Sequence, residues 1–335
     1  MSHILVTGGA GYIGAHTVRA LLATGHRVSV LDDLSVGHRH NIPGGVTLHE
    51  VDLADARATS RAVAESGPDA VVHFAGATEA GLSLRDPARF YRINVVGSYH
   101  LAEALRHSGT PPVVYSSSSA VYGQPDTVPI REDATKAPTS VYGRTKLDAE
   151  GLFAAYHVAY GLRSTALRYF NAAGASSDAS IGEEHPHETH LIPLAILAAQ
   201  QGRPMTLFGT DYPTPDGTCI RDYVHVEDLA AAHVLAVEAL LAGAPGDAYN
   251  VGVGAGFSNR AVLAAVAHVT GAALDVTEAP RRAGDPAELV ADAAKITSAL
   301  GWRPRFTQLE QIVATAAAWH ATQGPKASAA ASKKP

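Results

Sequence analysis

The eight residues Thr7-Gly8-Gly9-Ala10-Gly11-Tyr12-Ile13-Gly14 constrain this chain more than any other stretch. They lie between an apolar run, Ile4-Leu5-Val6, that reads as a buried strand, and residues 15–22, which read as a helix. Strand, glycine turn and helix in that order expose backbone N–H groups at a helix N-terminus, where the helix dipole favours a pyrophosphate. Gly8 permits the tight turn, Gly11 the approach of phosphate, and Gly14 the close packing of helix on strand. The spacing, G-x-x-G-x-x-G, departs from the commoner G-x-G-x-x-G, so context must support it. A second strand, residues 27–31, ends at Asp32, 18 residues past Gly14. A carboxylate there accepts hydrogen bonds from an adenosine ribose and repels a 2′-phosphate, which favours NAD over NADP.

Strands continue to alternate with helices through the first half. Residues 46–51, 70–76, 112–115 and 164–168 read as strands; residues 54–66, 89–105 and 141–160 read as helices. Near-continuous apolar strands separated by helices predict an α/β fold, a Rossmann-type doubly wound parallel sheet covered on both faces. Its ligand belongs at the C-terminal strand ends, where Gly11, Asp32, Asp52, Gly76, Ser118 and Asn171 all fall. After about residue 172 the pattern changes to loops, a short strand at 205–209, and helices at 191–201, 228–241, 259–269 and 307–322. The expected organisation is a dinucleotide-binding domain at 1–171, with 218–243 packing back onto it. A smaller mixed α/β C-terminal substrate domain is expected from 172–217 and 244–323. The Ala/Ser/Lys/Pro-rich residues 324–335 are expected to be a disordered tail.

A chain of 335 residues with net charge −6 and 17% charged residues has no basic block suited to nucleic acid. Its one cysteine, Cys219, excludes an intramolecular disulfide and suits a reducing cytoplasm. With a strand expected from residue 3, no signal peptide is expected, and no apolar run approaches the ~18–20 residues of a membrane span.

Tyr142 and Lys146 stand four apart on a predicted helix and so share one face. A free phenol has a pKa of ~10, too high for a base near neutrality. A neighbouring ammonium and a nicotinamide cation would favour phenolate; a fall of ~3 units needs roughly 4 kcal/mol of differential interaction. Ser118, 24 residues before Tyr142 and at the end of a strand, offers a hydroxyl to the reacting oxygen. Glycine turn, strand-end serine and Tyr-x-x-x-Lys, in that order, are jointly specific for dinucleotide-dependent chemistry at a carbinol carbon.

The chain resembles the extended short-chain dehydrogenase/reductase family, and within it the UDP-glucose 4-epimerases, from residue 3 to about residue 320. The motifs are TGGAGYIG (7–14), LDDLSVG (31–37), HFAG (73–76), YSSSSAVYG (115–123), YGRTK (142–146), RYFNAAG (168–174), FGTDYPTPDGTCIRDYVHVEDL (208–229) and RRAGDP (281–286). The resemblance implies a bound NAD that is used without being consumed. It implies that NAD is contacted by Gly8, Gly11, Tyr12, Ile13, Gly14, Asp32, Asp33, Leu34, Asp52, Leu53, Phe74, Ala75, Gly76, Asn94, Tyr142, Lys146 and Phe170. It places Ser118, Asn171, His190, Leu191, Thr206, Phe208, Arg221, Tyr223, Arg282, Asp285 and Leu289 in the nucleotide-sugar site. The residue types fit: Phe208 offers a face to uracil, the two arginines offer planar forks to a diphosphate, and Asp285 accepts from ribose hydroxyls. The implied reaction has Ser118, Tyr142 and Lys146 as catalytic groups and exchanges glucose and galactose configurations of a UDP-sugar through a 4-keto sugar. A homodimer is also implied.

Relatives that eliminate water carry an Asp-Glu pair where this chain has Ser119-Ala120. A lysine common two residues after HFAG is here Thr78, and an Asn pair common near the substrate phosphates is Thr189-His190. Leu289, smaller than the Tyr of some relatives, suggests tolerance of N-acetylated sugars. UDP-N-acetylhexosamine or UDP-pentose epimerisation, a net NAD-dependent oxidoreduction and a non-catalytic nucleotide sensor are the rival readings. His185-x-His187-x-x-His190 lacks a helical i, i+4 pair and a cysteine, so no metal is expected there.

Overall fold

The computed structural model describes residues 1–185, 188–282 and 285–323; the expected tail at 324–335, and His187, lie outside the described residues. The chain begins β1 (His3–Thr7), α1 (Tyr12–Ala23), β2 (Arg27–Asp32), β3 (Thr47–Glu50), α2 (Ala56–Ser66) and β4 (Ala70–His73). It continues α3 (Ala80–Ser83), α4 (Pro87–Phe90), α5 (Gly97–Arg106), β5 (Val113–Ser118), α6 (Val141–Tyr160) and β6 (Ser164–Tyr169). Then follow β7 (Asn171–Ala173), α7 (Leu191–Gln201), β8 (Met205–Phe208), β9 (Ile220–Arg221), β10 (Tyr223–His225), α8 (Val226–Leu241) and β11 (Ala248–Val251). The last elements are β12 (Phe257–Ser258), α9 (Asn259–Thr270), β13 (Val276–Ala279), β14 (Glu288–Leu289), α10 (Ala294–Leu300) and α11 (Leu309–Thr322).

Seven strands form one parallel sheet in the order β11-β6-β5-β4-β1-β2-β3. Successive strands step outward in one direction from β1 and in the other from β4, so the order reverses between those two strands. That reversal opens a crevice at the carboxyl ends of β1 and β4, the position at which doubly wound sheets bind ligands. The strands are apolar because both faces are covered. Ile4 and Val6 pack with α1 and α8 through Val18, Leu21, Leu229 and Val237, whereas Leu5 packs with α2, α5 and α6 through Val63, Leu101 and Phe153. The long helix α6 starts where Ser140 Oγ accepts the Gly143 N–H at 3.1 Å and stops at Gly161, whose φ of 74° is left-handed.

Two differences from the sequence reading matter for the site. The helix expected at 89–105 is interrupted by a π-helical turn, Tyr91–Val96, which carries Asn94. The expected boundary at 244 also shifts: β11 pairs with β6 and completes the large sheet, so residues 248–251 belong to the first lobe. A four-residue strand, Ala-Tyr-Asn-Val, is too short to show a period, and only its neighbour reveals its place. The second lobe is built on a separate core, in which Ile192, Ile196, Leu207, Val262, Val266, Ile312 and Val313 bring together α7, α9, α11 and β8. No helix among the described residues is long and apolar enough to cross a membrane.

Candidate active site

The glycine turn joins β1 to α1 at the crevice. Gly8 has a φ of 71°, and a Cβ there would stand 2.6 Å from Ala75 N, on the loop after β4. A Cβ on Gly14 would stand 2.1 Å from Gly8 O, so the helix meets the turn at backbone distance. Gly9, to which the sequence reading gave no role, is equally constrained: a Cβ would collide with Val30 at 2.8 Å. Gly11 is the N-cap of α1, and no side chain caps the first turn. The helix therefore presents unshared N–H groups at Tyr12 and Ile13, and this cradle fits a dinucleotide pyrophosphate.

Asp32 sits at the end of β2, buried, with its oxygens accepting the N–H groups of Ala10 and Leu34 at 2.9 Å each. Burial raises its pKa, against those two hydrogen bonds. Asp33 holds the turn by accepting from Ser35, and Asp52 accepts from Ala54 N and pairs with Arg92. Leu53 packs in the core beside α2 and α5. Phe74 lies with its ring 4.5 Å from that of His233, and Phe170 is buried with Val121 and Tyr122. Asn94 acts as a brace. Its Oδ1 accepts the Ala77 N–H at 2.7 Å, and its Nδ2 donates to Ala77 O at 3.0 Å and Thr145 Oγ1 at 2.9 Å. It thus ties the loop after Gly76 to α6.

Ser118, Tyr142 and Lys146 come together at the carboxyl end of β5, each less than a tenth exposed. Lys146 Nζ donates to Ser116 O at 2.8 Å and lies 6.0 Å from the centroid of the Tyr142 ring. Burial pushes the Tyr142 phenol up from its ordinary value, while a hydrogen bond from Ser118 acts the other way. Burial also pushes the Lys146 ammonium down to about 8. The expected lowering of the phenol by Lys146 is thus absent from the protein alone: burial and Ser118 are the groups that act on Tyr142.

A cavity of about 570 Å³ lies along α7, β8 and β9. Asn171, His190, Leu191, Thr206, Phe208, Arg221, Tyr223, Arg282 and Asp285, all singled out from the sequence, line it. Ser118 stands at the β5 edge instead, and Leu289 packs against the cluster of Tyr122, Ile130 and Phe170, opposite Arg221 in the β9–β14 register. The Arg221 guanidinium is buried, donates to Ile220 O at 2.8 Å and meets Asp285 Oδ1 at 3.3 Å. The Arg282 guanidinium lies 4.3 Å from the Phe208 ring centroid, on a face expected to take a base. Asn259, Cys219 and Glu183 also line the cavity and escaped the sequence reading, because only folding brings them there.

A glycine cradle at the switch point of a doubly wound sheet, with Tyr and Lys on a helix across the same crevice, defines a dinucleotide-dependent enzyme of the short-chain dehydrogenase/reductase class. The chain belongs to the NAD dependent epimerase/dehydratase family, whose model matches residues 4–252. Within that family it is similar to UDP-glucose 4-epimerases. The one from Corynebacterium glutamicum is 44% identical over 331 residues, 98% of this chain and 99% of the relative. The one from Lacticaseibacillus casei is 44% identical over 318 residues, 95% of this chain and 96% of the relative. The solved UDP-glucose 4-epimerase from Brucella ovis in complex with NAD superposes with a TM-score of 0.91 at 45% identity, covering 95% of this chain and 98% of that one.

Proposed function

We propose that this protein interconverts UDP-glucose and UDP-galactose by inverting C4 of the sugar, with NAD held in the glycine cradle. The observation that carries the reading is the buried set of Ser118, Tyr142 and Lys146 at the carboxyl end of β5, in a fold that also holds the glycine cradle and an arginine-lined cavity. Relatives named UDP-glucose 4-epimerase at about 44% identity over nearly the whole chain support it, as does a solved one from Bifidobacterium longum in complex with NAD⁺ and UDP.

Bound in the cradle, NAD would supply a reversible two-electron acceptor for C4. The protein's own groups do the rest. Tyr142 takes the proton from the 4-hydroxyl and later returns one. Ser118, at the carboxyl end of β5 with Tyr142, steadies the reacting oxygen. Lys146, anchored on Ser116 O, holds its charge beside the phenol. Burial raises the phenol further above an ordinary value that already keeps it protonated near neutrality, and a positively charged nicotinamide bound in the cradle would favour its phenolate. Arg221 and Arg282 grip the diphosphate, so the 4-keto sugar can turn over without leaving.

Incubating the purified protein with UDP-galactose and no added NAD should yield UDP-glucose with no net change in nicotinamide absorbance. A requirement for added NAD, with net reduction of it, would instead favour an oxidoreductase. The same assay with UDP-N-acetylglucosamine reads the tolerance expected at Leu289; equal rejection by the wild type and Leu289→Ala would refute it. We infer a homodimer through the exposed apolar Tyr91, Val96 and Tyr99 with Val158 and Tyr160 on α6, and a cytoplasmic setting suited to the free, buried Cys219.

A further inference from the structure

The segment between β7 and α7 carries a group of side chains that the proposed chemistry does not use as a unit. Glu183, His185, Glu188 and His190 each offer one ligand atom, and these atoms all lie within 4.8 Å of one another. Nδ1 of His185 stands 3.5 Å from Glu183 Oε1 and 3.3 Å from Glu188 Oε2. Nδ1 of His190 stands 3.5 Å from Glu188 Oε1 and 2.5 Å from Glu183 Oε1. Four N and O ligands held ~2.0–2.1 Å from a tetrahedral ion are themselves roughly 3.3 Å apart. The two separations that His185 makes, to Glu183 Oε1 and to Glu188 Oε2, already match that edge, and the His190–Glu183 contact, now a hydrogen bond, has to open.

We propose that Glu183, His185, Glu188 and His190 form a tetrahedral binding site for a divalent transition-metal ion, Zn²⁺ by its donor set. Two imidazoles argue against Mg²⁺ and Ca²⁺, which take oxygen ligands. Two carboxylates neutralise a doubly charged ion, and both glutamate side chains are largely withdrawn from water, at 7% and 11% exposed. Glu188 is pre-oriented, because its Oε1 accepts the N–H groups of Thr189 and His190 at 2.7 and 2.8 Å, leaving Oε2 toward His185. Four protein ligands leave no open position, so the site is structural. His190 is the N-cap of α7, and Glu183 and His190 line the cavity, so the ion would pin the cavity wall to the first turn of that helix. The histidine spacing alone points away from a metal; the carboxylates complete the set only in the folded chain.

The test uses the full-length protein as purified, stripped with a chelator and titrated with Co²⁺ and then Zn²⁺. One Co²⁺ per chain should bind with the intense visible bands of tetrahedral coordination and be displaced by Zn²⁺. His185→Gln and Glu188→Gln should each weaken Zn²⁺ binding by at least about tenfold, at unchanged dinucleotide content. Absence of a tetrahedral Co²⁺ spectrum in the wild type, or Zn²⁺ binding unaltered in both variants, overturns the proposal and leaves the four groups as an ion-pair cluster. If one variant does not fold, the other and the wild-type spectrum decide. Metal stoichiometry is read without substrate, so it stands or falls apart from the epimerase reading.

Discussion

Tyr142 and Lys146 pull against their task in the protein alone: one holds its proton too tightly, the other too loosely, and burial is the cause of both. Their roles are separable by substitution. Tyr142→Phe keeps the ring and the packing and removes only the proton carrier. It should lower kcat by roughly 10²- to 10⁴-fold, with dinucleotide content unchanged, as read by turnover and by the nucleotide released on denaturation. A turnover within a few-fold of wild type would remove Tyr142 from the mechanism. These residues were legible in the sequence because a helix fixes the distance between positions four apart, and a strand end fixes where a serine points. Asn259, Cys219 and the pairing of Glu183 with His190 were not, since their neighbours in space are set by packing between elements far apart in the chain.

The joint between β5, α6 and β6 is an element-scale device. Arg168 on β6 makes a two-pronged pair with Glu150 on α6, at 2.9 Å from Nε to Oε1 and 2.6 Å from Nη2 to Oε2. Ser117 on β5 donates to the same carboxylate, and Arg168 Nη1 donates to the Tyr122 hydroxyl at 3.0 Å. The pair is 5% and 11% exposed, which makes it costly to break from one side. Glu150→Ala should destabilise the fold by about 3–5 kcal/mol, measured by urea denaturation. A loss below ~1 kcal/mol would mean that water reaches the site. Long apolar strands and helices such as α6 and α7 were readable from periodicity and caps. Strands of two or three residues, β9, β10, β12 and β14, were not, because two residues carry no period and their partners come from distant loops. The turn at Asn94 was equally hidden, since a single π-helical turn is too short to set a period of its own.

At the scale of the molecule, five of the histidines among the described residues, His16, His73, His225, His233 and His320, are buried. His16, His225 and His233 are pushed down to about 4 and His73 to about 3, in each case first by desolvation. His73 is satisfied while neutral, between Thr7 Oγ1 at 2.7 Å and Ser98 Oγ at 2.9 Å. A group whose folded pKa lies below its unfolded value destabilises the fold once the unfolded chain takes up the proton. Stability contributed by these four histidines is therefore whole above ~6.5 and is lost as pH falls toward 4, by roughly 1.4 kcal/mol per pH unit for each. Asp222 is raised to about 6 by burial, so its contribution runs the other way: present in acid and lost as pH rises through 6. Asp32 and Asp228 are raised by burial as well, but the four histidines carry the larger share, so the urea midpoint should fall between pH 6.5 and 4.5; a flat profile there would show that these imidazoles take up protons in the native state.

The edge strand β11 has one more consequence. The path leaves the large sheet after β6, contributes β7 through β10 elsewhere, and returns for β11 before departing again for α9 and α11. The two lobes are stitched through one another rather than strung in series. Neither half is a separable cassette, so grafting the smaller lobe onto another parallel-sheet lobe would require several splices, not one.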